Sequence, residues 1–233
     1  PHIELSPLGH AIRSEEIRKI THHYPNVSVW QACIMPDHIH LILRVARWLK
    51  PNAHLVDIIR GFKTGCNNAY WRLTDRRGTA LFEKGYNDRL LLGDDQMERW
   101  RKYLDDNPRR LALKQLHPDL FIVQKDQELF GCQCQLVGNQ FLLDIPDKAA
   151  VIVHRAYTDE QYARLAEQWL ACGERGGVLV GTAVAPREKA VLREAMNRGY
   201  SIILLRDNGF PKLYKPSGEA FEACARGQLL QIS

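Results

Sequence analysis

The nine residues Met35-Pro36-Asp37-His38-Ile39-His40-Leu41-Ile42-Leu43 constrain this chain more than any other stretch. Pro36-Asp37 reads as a turn, and His38 to Val45 reads as a strand answering an earlier one at Val27 to Ile34. Successive side chains of a strand point to opposite faces. His38 and His40 therefore share one face, and Ile39 and Leu41 share the other. Such a strand needs apolar cover on one side. On the other it holds two imidazoles close enough to grip one divalent cation.

A second stretch, Asp94 to Pro108, reads as a helix. Asp94 or Asp95 caps its start, and Pro108 is expected to stop it near Asn107. Met97, Trp100 and Leu104 follow helical spacing and form a buried stripe. Tyr103 and Asn107 are four apart, so they share a face beside that stripe. A phenol and an amide oxygen are thus presented together. An amide oxygen can complete a metal site begun by two histidines. A phenol beside the metal can attack phosphorus, because the cation stabilises charge on the phosphoryl oxygens.

Four stretches occur in a fixed order: Met35 to Leu41; Gly61-Phe62-Lys63; Phe82 through Gly85-Tyr86-Asn87-Asp88-Arg89; and Tyr103-Leu104-Asp105-Asp106-Asn107-Pro108. Together they resemble the HUH-type single-tyrosine transposases, in particular the REP-associated branch, over about residues 1–115. The resemblance implies a ferredoxin-like α+β domain in which His38, His40 and Asn107 bind Mg²⁺ or Mn²⁺. Tyr103 would be the nucleophile that cleaves single-stranded or hairpin DNA and keeps its 5′ end as a phosphotyrosine. It also implies a first strand ahead of Leu5-Ser6-Pro7-Leu8-Gly9. Only four residues precede Leu5, so that strand is expected to be missing.

Charge agrees with a polyanionic partner. Residues 1–115 hold 19 Lys+Arg against 13 Asp+Glu, and residues 116–233 hold 13 against 14, so +6 and −1 make up the net +5. The positive excess sits with the motifs and would draw nucleic acid to that half. Lys63, Arg60, Arg89, Arg109 and Arg110 are the candidate DNA contacts, with Arg44, Arg47 and Lys50 as further contributors. Tyr70, Trp71 and Tyr86 lie among these charges and are candidates for stacking on bases, although such rings more often pack in a core.

The coarse layout of this half is a helix from Ser14, as cap, to His23, then the hairpin, a helix from His54 to Leu73, a strand within Ala80 to Leu92, and the tyrosine helix. A domain boundary is expected near Lys114 to Asp119. Beyond it apolar strands at Ala149–Val153, Gly177–Val180 and Ser201–Leu205 alternate with helices at Thr158–Gly173 and Pro186–Arg198. That alternation predicts a parallel, doubly wound sheet. About residues 145–232 resemble the Rossmann-like, three-layer domains of the DNA-processing and lysine-decarboxylase-like group. In that group the loop matching Gly181 to Lys189 meets phosphates, so Gly181, Thr182 and Arg187 are candidate phosphate ligands. The loop has no GxGxxG pattern, and a structural or DNA-docking role is the stronger expectation.

No run approaches the roughly 20 apolar residues of a membrane helix. Six scattered cysteines, none in a Cys-x-x-Cys pair, read as reduced thiols of a cytoplasmic protein. The expected function is metal-dependent transesterification of single-stranded DNA. Two alternatives stand beside it: a non-catalytic DNA-binding regulator on the same fold, and a nucleotide-binding protein acting through its second half. A homodimer is left open.

Overall fold

The computed structural model describes residues 4–46 and 54–233. The expected contributors Arg47 and Lys50 lie outside the described residues. The chain divides into two compact units, residues 1–112 and 113–233. One carries a two-stranded antiparallel sheet, the other a six-stranded, mostly parallel one. Among the described residues no helix is long and apolar enough to cross a membrane.

The first unit opens with a helical rod: α1 (Pro7–Ala11), a π-helical turn (Ile12–Glu16) and α2 (Ile17–His23). The Ser6 hydroxyl caps it by accepting the Gly9 N–H at 3.2 Å. The expected start at Ser14 is therefore too late. Ser-Pro with the proline at the first helical position is itself a start signal, and Ser14 instead donates to the His10 carbonyl inside the rod.

The hairpin β1 (Val27–Ile34) and β2 (Ile39–Val45) forms as expected, with Cys33 opposite His40 and Ile34 opposite Ile39. Helix α3 (Leu55–Thr74) buries Ile58, Phe62, Cys66 and Ala69 along one stripe. Ile39, Leu41 and Leu43 pack with that stripe and with Ile12 and Ile20. On the opposite sheet face Cys33, Met35 and Ile42 pack with Leu104, Met97, Trp100 and Leu111 of α4 (Asp94–Leu116). A bulge at Trp30 shifts the register of β1. It lets Val27 and Val29 face the α3 side while Gln31 follows Cys33 and Met35 to the other.

Two expectations fail in this unit. Pro108 does not end the helix, which runs on to Leu116. Proline removes one backbone bond, but the following Arg-Arg-Leu-Ala-Leu-Lys run favours helix and buries Ala112. The expected strand within Ala80–Leu92 does not form. Only Leu81 and Phe82 reach the core. Gly85 takes a left-handed φ of 81°, and Leu90 and Leu92 remain exposed. The described sheet thus has two strands, without the further strands of a ferredoxin-like sheet.

The second unit is a sheet ordered β3-β4-β8-β7-β6-β5. Its parallel part comprises β5 (Lys148–Ala150), β6 (Val178–Gly181), β7 (Ser201–Leu205) and β8 (Leu229–Ile232). The crossover helices are α5 (Asp159–Glu174), α6 (Pro186–Asn197) and α7 (Gly218–Ala225). These strands follow one another across the sheet without a reversal. All three helices pack on the face that carries Val151, Leu179, Ile202 and Leu229. The other face, with Val178, Ile203 and Leu230, is covered by a short 3₁₀ segment, Gln140–Leu143. The sheet is therefore wound in one sense only, and the expected double winding with helix layers on both faces is absent. A right-handed crossover repeated in one direction leaves its helices on one side. The hairpin β3 (Gln124–Leu129) and β4 (Cys132–Gly138), whose turn at Phe130-Gly131 is left-handed at both residues, extends the sheet beyond β8.

Leu104→Ala empties a site that is 2% exposed and is expected to cost about 2–5 kcal/mol. Leu90→Ala, at an exposed position, is expected to stay within about 0.5 kcal/mol. Urea unfolding of both variants measures the difference.

Candidate functional site

The α4-facing side of the hairpin holds the first candidate site. The rings of His38 and His40 lie edge to face with centroids 4.7 Å apart. Tyr103 meets His40 at 5.8 Å, and Trp100 backs Tyr103 at 5.4 Å. The two histidines predicted from the strand and the tyrosine predicted from the helix thus form one row of rings. Tyr103 is 40% exposed and so is reached by solvent.

Asn107 lies on α4 one turn beyond Tyr103 and is only 9% exposed. Its Nδ2 is buried without a hydrogen-bond partner. Rotating a side-chain amide exchanges its oxygen and nitrogen in place, so which of the two stands at that point is set by its surroundings. The Gln31 Oε1, on β1, is likewise buried without a partner. Among the described residues no group of three or more His, Cys, Asp or Glu is placed to hold a metal ion. With no third residue of those types beside His38 and His40, the candidate third ligand is an amide oxygen, the role the sequence assigned to Asn107.

Two neighbouring residues were not singled out from the sequence. The Asp37 carboxylate stands 2.7 Å from His38 Nδ1. With Nδ1 protonated and donating to that carboxylate, Nε2 is left as the lone-pair nitrogen for a metal. The only sequence signal was an acid adjacent to the first histidine. Gln31 joins β1 to α4, its Nε2 donating to Asp105 Oδ1 at 2.5 Å and to the Arg101 carbonyl at 3.2 Å. Partial burial, and after it the neighbouring His38, hold the His40 imidazole below its ordinary value.

The candidate DNA contacts are divided. Lys63 does not point to solvent. Its ammonium donates to the carbonyls of Glu83 and Gly85 and lies over the Phe82 ring. It pins the segment that carries Tyr86. Arg109 is paired with Asp106 at 2.5 Å, and Arg110 also has an interaction within the protein. Arg60 touches Asp57 at 3.3 Å but is 71% exposed. Arg89 is exposed, and Arg44 lies over the Trp30 ring.

In the second unit the polar side chains of the loop after β6 bond within the protein. Glu188, in the first turn of α6, turns its carboxylate back to accept from the Thr182 hydroxyl at 3.0 Å and the Val153 N–H at 3.3 Å. Arg187 donates to the Tyr157 carbonyl and to Asp159. The carboxylate thus takes up the Thr182 hydroxyl, while no side chain caps the α6 N-terminus itself. Gly181 is there for packing, since a Cβ would stand 3.0 Å from Leu192 Cδ1. Thr182 and Arg187 are thus engaged with protein partners.

Compared with family models, with curated proteins and with solved structures, the chain finds no match.

Two expected outcomes follow from these geometries. The unfolded chain binds a proton at His40 near pH 6.5, whereas the folded chain binds it only at lower pH. Stability from this residue is therefore full above about pH 6.5 and declines as pH falls toward the lowered folded value. Thermal unfolding from pH 8 to 5 should show that decline, and it should be smaller in His40→Gln. Adding ATP or dATP at millimolar concentration should leave the melting temperature of the full chain unchanged, because Thr182 and Arg187 are already engaged with protein partners; a rise of several degrees would contradict this.

Proposed function

We propose that this chain cleaves and rejoins single-stranded DNA by metal-assisted transesterification, as a single-tyrosine nuclease-transposase of the HUH type. One observation carries the reading: the hairpin brings His38 and His40 into one row with Tyr103 of α4, while the Asn107 amide, its Nδ2 buried without a partner, follows one turn later. In this reading the first unit is a ferredoxin-like HUH module reduced to its hairpin and helices. The second is a Rossmann-like accessory domain.

Each residue has a separable task. His38 and His40 offer their imidazole nitrogens, and Asn107 its amide oxygen, to Mg²⁺ or Mn²⁺. The bound ion would supply Lewis-acid stabilisation of the phosphoryl oxygens. Asp37 fixes the tautomer of His38. Tyr103 loses its phenolic proton to solvent, and its oxygen bonds to phosphorus. The P–O3′ bond breaks as that bond forms, and the departing 3′ oxygen takes up a proton. One ester replaces another, so the step is reversible and needs no nucleotide triphosphate. The exposed Arg60 and Arg89 hold the strand by its phosphates, a contact that positions without specifying sequence.

A regulator that binds DNA without cutting it remains the second reading, and chemistry separates the two. The nucleotide-binding alternative is the least supported, since Thr182 and Arg187 are engaged within the protein.

Incubation with hairpin-bearing single-stranded DNA and Mn²⁺ is expected to give a covalent protein–DNA adduct on a denaturing gel. Tyr103→Phe should abolish it with the fold retained. His38→Ala and His40→Ala should lower it by about 100-fold or more, a loss on the scale expected for removing metal assistance, and should weaken DNA binding much less. An adduct in Tyr103→Phe would move the nucleophile elsewhere, with exposed Tyr86 the first alternative. No adduct under any condition, with DNA still bound, would favour the regulator.

A further inference from the structure

Helix α3 turns one polar stripe toward the segment that follows it. Lys63, Asn67 and Trp71 are spaced four apart, so they stand in line on one face. Each holds main chain. The Trp71 Nε1–H donates to the Thr79 carbonyl at 2.6 Å, and Asn67 Oδ1 accepts from the Leu81 N–H at 2.8 Å. The Lys63 ammonium donates to the Glu83 carbonyl at 2.8 Å and to the Gly85 carbonyl. The segment thus runs back along α3, tied down at every second residue from Thr79 to Gly85. Gly85, at φ 81°, supplies the left-handed turn at the last rung.

The hold is more than a connection needs. From Asp75 to Gly93 the chain forms neither helix nor strand. Connections longer than roughly 12–15 residues without secondary structure are uncommon in compact domains and are usually functional when ordered. Leu81 and Phe82 anchor the start of this one in the core, but every residue from Glu83 to Leu90 is exposed. Apolar burial therefore does not fix that stretch, and the two bonds from Lys63 do. Its charges give the fixing a purpose. Lys84 and Arg89 balance Glu83 and Asp88, so a freely moving stretch offers a polyanion no net attraction. Held in one conformation, it can present a cation and keep the acids aside. Arg60, on α3 one turn before Lys63, adds an exposed cation to the same region.

We propose that Lys63, Asn67 and Trp71 are positioning residues that hold Arg89 against a phosphate of the DNA strand, and that Lys63 makes no phosphate contact of its own. The inference rests on single-stranded DNA being the partner and on Arg89 being one of its contacts.

The test measures binding of hairpin-bearing single-stranded DNA to the full-length Tyr103→Phe protein, in which no adduct is expected, as salt is raised. Arg89→Ala should weaken binding by about tenfold, as loss of a hydrogen bond to a charged group does. It should also lower the salt slope by about 0.7, the share of one phosphate. Asn67→Ala and Trp71→Phe remove no charge, yet each should weaken binding by about three- to tenfold and move the slope toward the Arg89→Ala value. Added to Arg89→Ala they should have no further effect, because residues that act through one contact are not additive. Lys63→Met added to Arg89→Ala should likewise leave the slope where it is. The two neutral variants sit on separate rungs, so one that melts early leaves the other to decide. Unchanged binding in the neutral variants, full additivity with Arg89→Ala, or a further fall in slope with Lys63→Met would overturn the proposal. Any of these with an adduct still formed at Tyr103 removes the positioning role alone. A parent protein that binds no DNA removes the proposed function itself.

Discussion

The first unit depends on one strand being buried on both sides by different partners. Ile39, Leu41 and Leu43 belong to the core under α3, while Ile42 belongs to the core under α4. His38 and His40 lie on the same side as Ile42, so the packing that buries Ile42 also fixes the imidazoles beneath the helix that carries Tyr103. Leu104 is buried next to Tyr103 in the chain and serves as its anchor. The geometry of the row is a by-product of apolar packing: the residues that lock it are hydrophobic, and the residues that would do chemistry ride between them. The bulge at Trp30 lets β1 serve the same two-sided plan, and Gln31 just after it ties the sheet to α4.

Both units spend charged groups on their own architecture. Lys63 holds carbonyls of the segment after α3, Glu188 closes the loop after β6, and Asp37 orients an imidazole. Net charge therefore points to a half of the chain but not to individual contacts. Lys63 lay in a motif and in a basic region, yet its ammonium has a structural post. A count of charges adds every cation equally, whereas the field felt by a ligand comes from those left facing solvent. Arg60 and Arg89 meet that condition better than the lysine.

Much of the candidate site was legible because it rests on short-range periodicity. Period two put His38 and His40 on one face, and period 3.6 put Tyr103 beside the buried stripe and Asn107 below it. The helices α3, α5 and α6 and the strands β1, β2, β6 and β7 were legible for the same reason. What escaped was decided at longer range or by competing local signals. Pro108 looked like a stop, but the burial that follows it outweighs one missing hydrogen bond. A strand is expected within Ala80 to Leu92, yet beyond Leu81 and Phe82 no core is offered to it. The winding of the second sheet depends on the spatial order of strands, which alternation alone does not encode. The hairpin of β3 and β4 is polar along most of its length, so period two left little trace there. The π turn at Glu16 has no periodic signature, because it is an interruption of one.

The two-sided strand also sets what kinds of sequence change this chain can absorb. A substitution on either face perturbs one core. An insertion or deletion of a single residue between Met35 and His38 would exchange the faces, turning the imidazoles into the apolar layer under α3 and the aliphatic side chains out toward Tyr103. Length in that turn is therefore more constrained than composition, and drift in this lineage should be read there in whole pairs of residues.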